Sequence, residues 1–159
     1  MRTEASHDHT LRPARAEDMA MCGRILNDWI DETPWMPRVH PREEVVRYHC
    51  DFVFKNQSVL VAESVSSEIE GFVATNDDQF ITGFYLAPQA RQNGLGTSML
   101  SLVKHGNPSG VKLWTFVKNR GAQHFYEREG FQEVRRTDGD NEENLPDILY
   151  SWKPEGVAS

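Results

Sequence analysis

Apolar residues along this chain recur with two different periods. Cys22, Ile25, Leu26 and Trp29 stand at i, i+3, i+4 and i+7, so they form one stripe and predict a helix from about Glu17 to Asp31. Glu17 and Asp18 fall in its first turn, where negative charge suits the helix dipole. Val46, Cys50 and Val53 set the apolar row of a second helix, from about Arg42 to Lys55. Between the two, residues 32–41 (ETPWMPRVHP) carry three prolines, which remove backbone donors and predict an irregular connection. Strands are expected at Thr10–Pro13, Ser58–Ser64, Ile69–Thr75 and Gln79–Leu86, the last three separated by Ser66-Ser67-Glu68 and Asn76-Asp77-Asp78 at hairpin lengths. After Ala87-Pro88 the helical period returns at Leu95, Met99, Leu102 and Val103, and Gly106 and Pro108 stop that helix. Val111–Val117 reads as a strand. Asn119 caps a helix that runs to Glu129, Gly130 is its left-handed C-cap, and Gln132–Thr137 and Ile148–Trp152 are the last strands.

The predicted order is β-α-α-β-β-β-α-β-α-β-β. It describes a single mixed α/β domain over residues 10–153, with a mostly antiparallel central sheet of about seven strands and helices on both faces. Tails are expected at residues 1–9 and 154–159. The crossover from Gln79–Leu86 through a helix to Val111–Val117 requires those two strands to run parallel.

Composition narrows the function classes. The formal net charge of the 159-residue chain is −7, and its longest basic run is Arg135-Arg136. A nucleic-acid binder displaces counterions with a basic face, so nucleic acid is not an expected partner. No run of about 18 apolar residues is present, so no membrane helix is expected. The polar start MRTEASHDH lacks the apolar core of a signal peptide, which makes the cytoplasm the expected address. Cys22 and Cys50 lie in different helical patterns and read as small packed hydrophobes. His7-Asp8-His9 has no further ligands nearby, so no metal is expected.

Two segments carry candidate chemistry. Arg91-Gln92-Asn93-Gly94-Leu95-Gly96 lies between a strand and a helix. Glycines there let the chain approach a ligand, and the N–H groups of the loop and helix start form an anion site suited to a pyrophosphate. A P-loop would continue Gly-Lys-Ser/Thr, whereas Gly96 is followed by Thr97 and Ser98. A Rossmann fingerprint would need a third glycine where Met99 stands. The second segment is NRGAQHFYEREGF, Asn119 to Phe131. Asn119 and Tyr126 are two turns apart on one helix face, about 10 Å along the axis, with the small Ala122 between them.

Together these segments resemble the Q/R-x-x-G-x-G/A acyl-CoA loop and the following N-x-x-A-x-x-F/L-Y-x-x-x-G-F motif of the GNAT N-acetyltransferases. The strand order matches over roughly residues 10–153. The resemblance implies that the strand before the loop splays from its neighbour and binds pantetheine through Phe84, Tyr85 and Leu86. Arg91 begins the motif, and Gln92, Asn93, Gly94, Leu95, Gly96 and Thr97 would bind pyrophosphate. Asn119 would contact the cofactor arm, and Tyr126 would be the general acid. It also implies acetyl-CoA as cosubstrate and transfer of its acetyl group to a primary amine, expected on a small molecule, in one ternary complex. Some members carry a glutamate base five positions before the asparagine; here that position is Trp114. Glu32, His40, His124 and the acidic stretch Thr137–Asp147 are the remaining candidates for the base. Glu32, Trp35 and Arg38 of the early connection, with that acidic stretch, are expected to rim the acceptor site. A CoA-binding module without catalysis is the alternative, against which Tyr126 speaks. A second copy of the chain is the one protein partner left open.

Overall fold

The computed structural model describes residues 5–6 and 8–155, so the expected tails lie partly outside the described residues. The strands form one open sheet: β1 (Ala5–Ser6), β2 (His9–Pro13), β3 (Ser58–Ser64), β4 (Ile69–Thr75), β5 (Phe80–Leu86), β6 (Val111–Phe116), β7 (Gln132–Thr137) and β8 (Asp147–Trp152). Their spatial order is β1-β2-β3-β4-β5-β6-β8-β7. Every pairing is antiparallel except β5 with β6, which is parallel. This is the mixed, mostly antiparallel sheet expected from the sequence. The addition is β1, whose Ala5 and Ser6 pair with Thr10 and His9 inside a stretch expected to be a tail.

The helices are α1 (Met19–Glu32), α2 (Arg42–Tyr48), α3 (Phe54–Asn56), α4 (Leu95–Gly106) and α5 (Arg120–Arg128). Strand side chains alternate between faces, so the central strands feed two cores. On one face Val61, Phe72 and Ala74 pack against Met19, Cys22 and Ile25 of α1 and Val53. On the other, Ala62, Val73, Ile81 and Leu113 meet Leu95, Met99 and Leu100 of α4 and Tyr126 of α5. Cys22 is fully buried in the first core and burial pushes its thiol up to about 12, so it is an inert packing residue.

The second predicted helix is interrupted. A π-helical turn at His49–Val53 joins α2 to α3. The buried row is Val45, His49 and Val53, in place of the expected Val46, Cys50 and Val53. His49 takes an inward place because its Nδ1 is satisfied by the Val45 carbonyl at 2.8 Å, which lets the ring lie edge-on to Phe72. Burial keeps this imidazole below its ordinary pKa and therefore neutral.

An ion pair locks β2 to the start of α1. Asp18 accepts from Arg12 Nη1 at 2.8 Å and from the Arg15 N–H at 2.7 Å, while Arg12 Nε also reaches Glu63 at 2.8 Å.

Candidate active site

The parallel strands part early. β5 and β6 are paired only at Phe80–Lys112 and Ile81–Leu113. Beyond that point each strand follows its other neighbour: β5 stays on β4 through Leu86, and β6 stays on β8 through Phe116. The Ala87 N–H donates to Glu70 on the β4 side at 2.8 Å. Backbone groups alternate along a strand, so the N–H and C=O of Phe84 and Leu86 point the other way, into the gap. Arg91 Nε takes the Leu86 carbonyl at 3.0 Å. The Leu86 N–H is left lining the gap, a donor at the end of an interrupted sheet.

The loop after β5 turns sharply into α4. Gln92 has φ +62° and Gly94 φ +87°, left-handed conformations that Gly94 adopts without a Cβ penalty. Asn93 Oδ1 accepts the Leu95 N–H at 3.2 Å, and the first helical bond runs from the Ser98 N–H to the Gly94 carbonyl. The Gly96 and Thr97 amides belong to the first turn, which has no partner within its own helix. The Thr97 hydroxyl donates to Glu129 at 3.0 Å, and the Arg91 guanidinium pairs with Glu32 at 2.6 Å. Arg91, Glu32, Trp35, Lys118, Asn119 and Arg120 line a cleft of about 610 Å³ beside this loop.

On α5, Asn119 is the N-cap, its Oδ1 accepting the Ala122 N–H at 3.1 Å. Gln123 Nε2 donates to the Val117 carbonyl at 2.6 Å and holds the turn between β6 and α5. The helix ends in the expected left-handed Gly130 (φ +94°), with the Phe131 N–H donating to the Tyr126 carbonyl at 2.9 Å. Tyr126 is buried among Phe125, Phe131 and Tyr150, ring centroids 5.2, 5.3 and 6.4 Å away. Burial, with Tyr85 adding to it, raises its phenol well above the ordinary tyrosine range, so the hydroxyl holds its proton throughout the neutral range. Across the gap, Phe125 meets Phe84 edge-on at 6.1 Å.

On the opposite face of β5 lies a cavity of about 790 Å³. Its walls include Leu26 and Ile30 of α1, Met36 of the connection, Phe52 of the π turn, and Tyr85 and Phe116 from the two splayed strands. Trp114, five positions before Asn119, lines it too; the Arg135 guanidinium lies 4.9 Å over that ring. Burial pushes the Tyr85 phenol up to about 12, and Glu143 adds to the shift. Two carboxylates of the acidic stretch reach this cavity, Glu142 and Glu143. Glu142 pairs with His40 Nε2 at 3.1 Å. That hydrogen bond, then its charge, holds the His40 imidazole above its ordinary pKa. Glu143 has its carboxyl raised above the usual range by burial.

Glu32, Trp35 and Arg38, expected to rim the acceptor, do not line this cavity. Glu32 is paired to Arg91, and Trp35 packs edge-on between Trp29 and Phe116, each 5.8 Å away. Both face the smaller cleft. Arg38 braces the connection, donating to Asn27 Oδ1 at 2.9 Å and pairing with Asp31 at 2.8 Å. The polar residues of this segment are used to hold a proline-rich strap in shape. His124 is exposed on α5 and lines neither space. Among the described residues no group of His, Cys, Asp or Glu is arranged to hold a metal ion, and no helix is long and apolar enough to cross a membrane.

Comparison with known proteins gives a consistent result. The acetyltransferase (GNAT) domain family profile matches residues 55–133. Peptidyl-lysine N-acetyltransferase YiaC of Escherichia coli (strain K12) is 27% identical over 131 residues, covering 80% of this chain and 88% of that protein. Apo YjaB of Escherichia coli superposes with a TM-score of 0.74 at 19% identity, over 92% of this chain and 98% of that one. A putative acetyltransferase of Salmonella typhimurium, YncA, solved with its cofactor acetyl-CoA, gives 0.72 at 16% identity, over 96% and 98%. Arabidopsis thaliana NAA60 in complex with acetyl-CoA gives 0.72 at 19% identity, over 93% and 99%.

Proposed function

The chain belongs to the GNAT superfamily of N-acetyltransferases, and from that premise we propose that it moves the acetyl group of acetyl-CoA to the primary amine of a small molecule seated in the 790 Å³ cavity. The observation that carries this reading is the gap between β5 and β6, with the α4 amides at one end and the cavity on one side. Pantetheine takes the place of the missing strand pairing along Phe84, Tyr85 and Leu86. Pyrophosphate is held by the segment Gln92–Thr97 at the start of α4. Arg91, Lys118 and Arg120 of the smaller cleft supply positive charge for the remaining phosphate. The side-chain oxygen of Asn119 is committed to its cap, so it is the amide N–H groups that are offered to the cofactor arm.

The amine attacks the thioester carbonyl directly. The Leu86 N–H, aimed into the gap, stabilises the oxygen that gains charge. The C–S bond then breaks, and Tyr126, whose buried phenol keeps its proton, gives it to the departing sulfur and is reprotonated from the attacking nitrogen. Holding both reactants in one gap supplies much of the acceleration.

The YiaC relative acts on peptidyl lysine. The cavity favours a different acceptor here: it is within the range of small-molecule sites, about 300–1,000 Å³, and is wider than one lysine side chain fills. The test is CoA release with a panel of primary amines run beside lysine-containing peptides. Turnover of small amines above that of peptides is expected. Turnover of peptides alone would overturn the acceptor class and leave the acetyl transfer standing.

A further inference from the structure

Removing a proton from the acceptor is the step for which the fold offers no side chain at the usual place. An alkylammonium loses its proton near pH 10, as lysine does, so at pH 7 fewer than about one amine in a thousand is nucleophilic. Trp114, which lines the cavity, has no basic atom. Four carboxylates line the cavity: Glu44, Asp51, Glu142 and Glu143. Glu44 and Glu142 both pair with His40, at 3.7 and 3.1 Å, and Asp51 is exposed on the far wall of the π turn. Glu143 is half-buried, has no ion pair among the described residues, and shares the cavity with Tyr85 and Phe116 from both sides of the strand gap. His49 reaches the same cavity but is packed against Phe72.

We propose that Glu143 is the catalytic base, receiving the proton of an acceptor ammonium whose apolar body rests against the aromatic wall formed by Phe52, Tyr85, Trp114 and Phe116. The inference rests on the acetyl-transfer reading above. The ammonium gives one proton to the Glu143 carboxylate, and the nitrogen lone pair forms the C–N bond. The nitrogen gives up a second proton as the C–S bond breaks, the sulfur ends with one, and one proton leaves to solvent. The raised pKa of this carboxyl, caused by its burial, brings it closer to neutrality than a surface glutamate. The titratable groups around it are Glu142, Asp140 and Asp147 on its own segment, Arg135 of β7, Tyr85 of β5, and His40, Glu44, Arg47, Tyr48, His49 and Asp51 of the connection, α2 and the π turn.

The experiment uses the full chain with acetyl-CoA and 2-phenylethylamine, a primary amine on a ring-sized apolar body, and a lysine-containing peptide in parallel. Glu143→Gln should lower kcat/KM by about 10²–10⁴-fold at pH 7 with acetyl-CoA affinity unchanged. Its deficit should narrow as pH rises toward 10, because solution then supplies the free amine. Glu143→Asp should keep the acidic limb of the pH profile at a lower rate. Glu68→Gln, a charge change in the exposed turn between β3 and β4, should behave as the parent. A Glu143→Gln enzyme within about threefold of the parent, or one with a profile parallel to it at reduced height, would overturn the assignment. If the peptide alone is acetylated, the small-molecule reading falls, and the same pH comparison on the peptide decides Glu143 separately. Acetylation of neither probe would overturn both.

Discussion

Gly96→Val, compared with Gly96→Ala, tests the loop most directly. A Cβ at position 96 would lie 3.4 and 3.5 Å from the Phe125 ring and 3.9 Å from Leu86 Cδ1. Those are ordinary contacts, so alanine fits and its helix propensity makes the apo protein as stable as the parent or slightly more so. Valine adds two methyls beyond a Cβ already in contact with the Phe125 ring and Leu86. Overpacking of that kind costs about 1–3 kcal/mol. In a chain of this size each kcal/mol moves Tm by about 2–4 °C, so the apo Tm should fall by about 2–12 °C. The ligand response separates binding from folding. At acetyl-CoA concentrations about 100 times Kd the parent gains about 2.7 kcal/mol, a rise of about 5–11 °C. A hundredfold loss of affinity reduces that gain to about 0.4 kcal/mol, near 1 °C. The assay is a thermal melt of each protein with and without acetyl-CoA. Gly94→Val, which also forces a β-branched residue to φ +87°, should lose the rise as well. Full ligand-induced shifts in both valine variants would refute the placement of pyrophosphate on this loop.

Tyr126→Phe keeps the buried ring and deletes the donor, so kcat should fall by about 10²–10⁴-fold while acetyl-CoA affinity and Tm stay near the parent values; near-normal kcat with chemistry rate-limiting would leave Tyr126 as packing alone. Asp18→Asn removes a carboxylate held by Arg12 and the Arg15 N–H, and should cost about 1.5–3 kcal/mol, a Tm fall of about 3–12 °C. Burial alone would raise the Asp18 pKa, and the Arg12 and Arg15 hydrogen bonds overcome it, so the folded value lies below the ordinary one. Its stabilisation is therefore present above about pH 4 and is lost as pH falls through the lowered value; the Tm difference between parent and variant should shrink in acid, and a difference independent of pH would remove the charge from the account. With cofactor saturating, kcat/KM for a cationic amine should decline from about 0.05 to 0.5 M salt if the acidic stretch steers the acceptor, and a flat response would exclude steering.

Strand and helix limits were readable wherever local chemistry marks them. The bounds of β3, β4 and β7 coincide with the polar turns that flank them, and the caps at Asn119 and Gly130 stand where the sequence puts them. The β1 hairpin was not readable, because a polar edge strand shows no apolar alternation. The π turn was not readable, because it carries His49 into the buried row, where its ring nitrogen finds a carbonyl one turn back. The proposed cofactor half of the site is local, two short segments each beside one helix, so its geometry follows from sequence order. The cavity is assembled from residues between Leu26 and Glu143. No spacing rule links them, and nothing in the stretch from Thr137 to Asp147 distinguishes Glu143 from its acidic neighbours until the fold brings it beside Tyr85. Arg38, expected at the acceptor rim, makes its polar contacts within the early connection and α1, to Asn27 and Asp31, which no spacing in the sequence announces.

The early parting of β5 and β6 also divides the molecule mechanically. Five strands lie on one side of the seam and three on the other, and within the sheet they are joined by two residue pairs and one further bond from the Lys112 N–H to Gln79. The second group, residues 111–152, is continuous in sequence and carries α5 with it. Such a block can open as a cooperative unit of its own, at a free energy below that of global unfolding. Native-state hydrogen exchange would then resolve two sets of protected amides, with Phe84 and Leu86 among the fastest in the sheet. A ligand that touches both Leu86 and Asn119 spans the seam, so its binding should slow exchange across the whole block as far as β7, whose strand lies away from the gap.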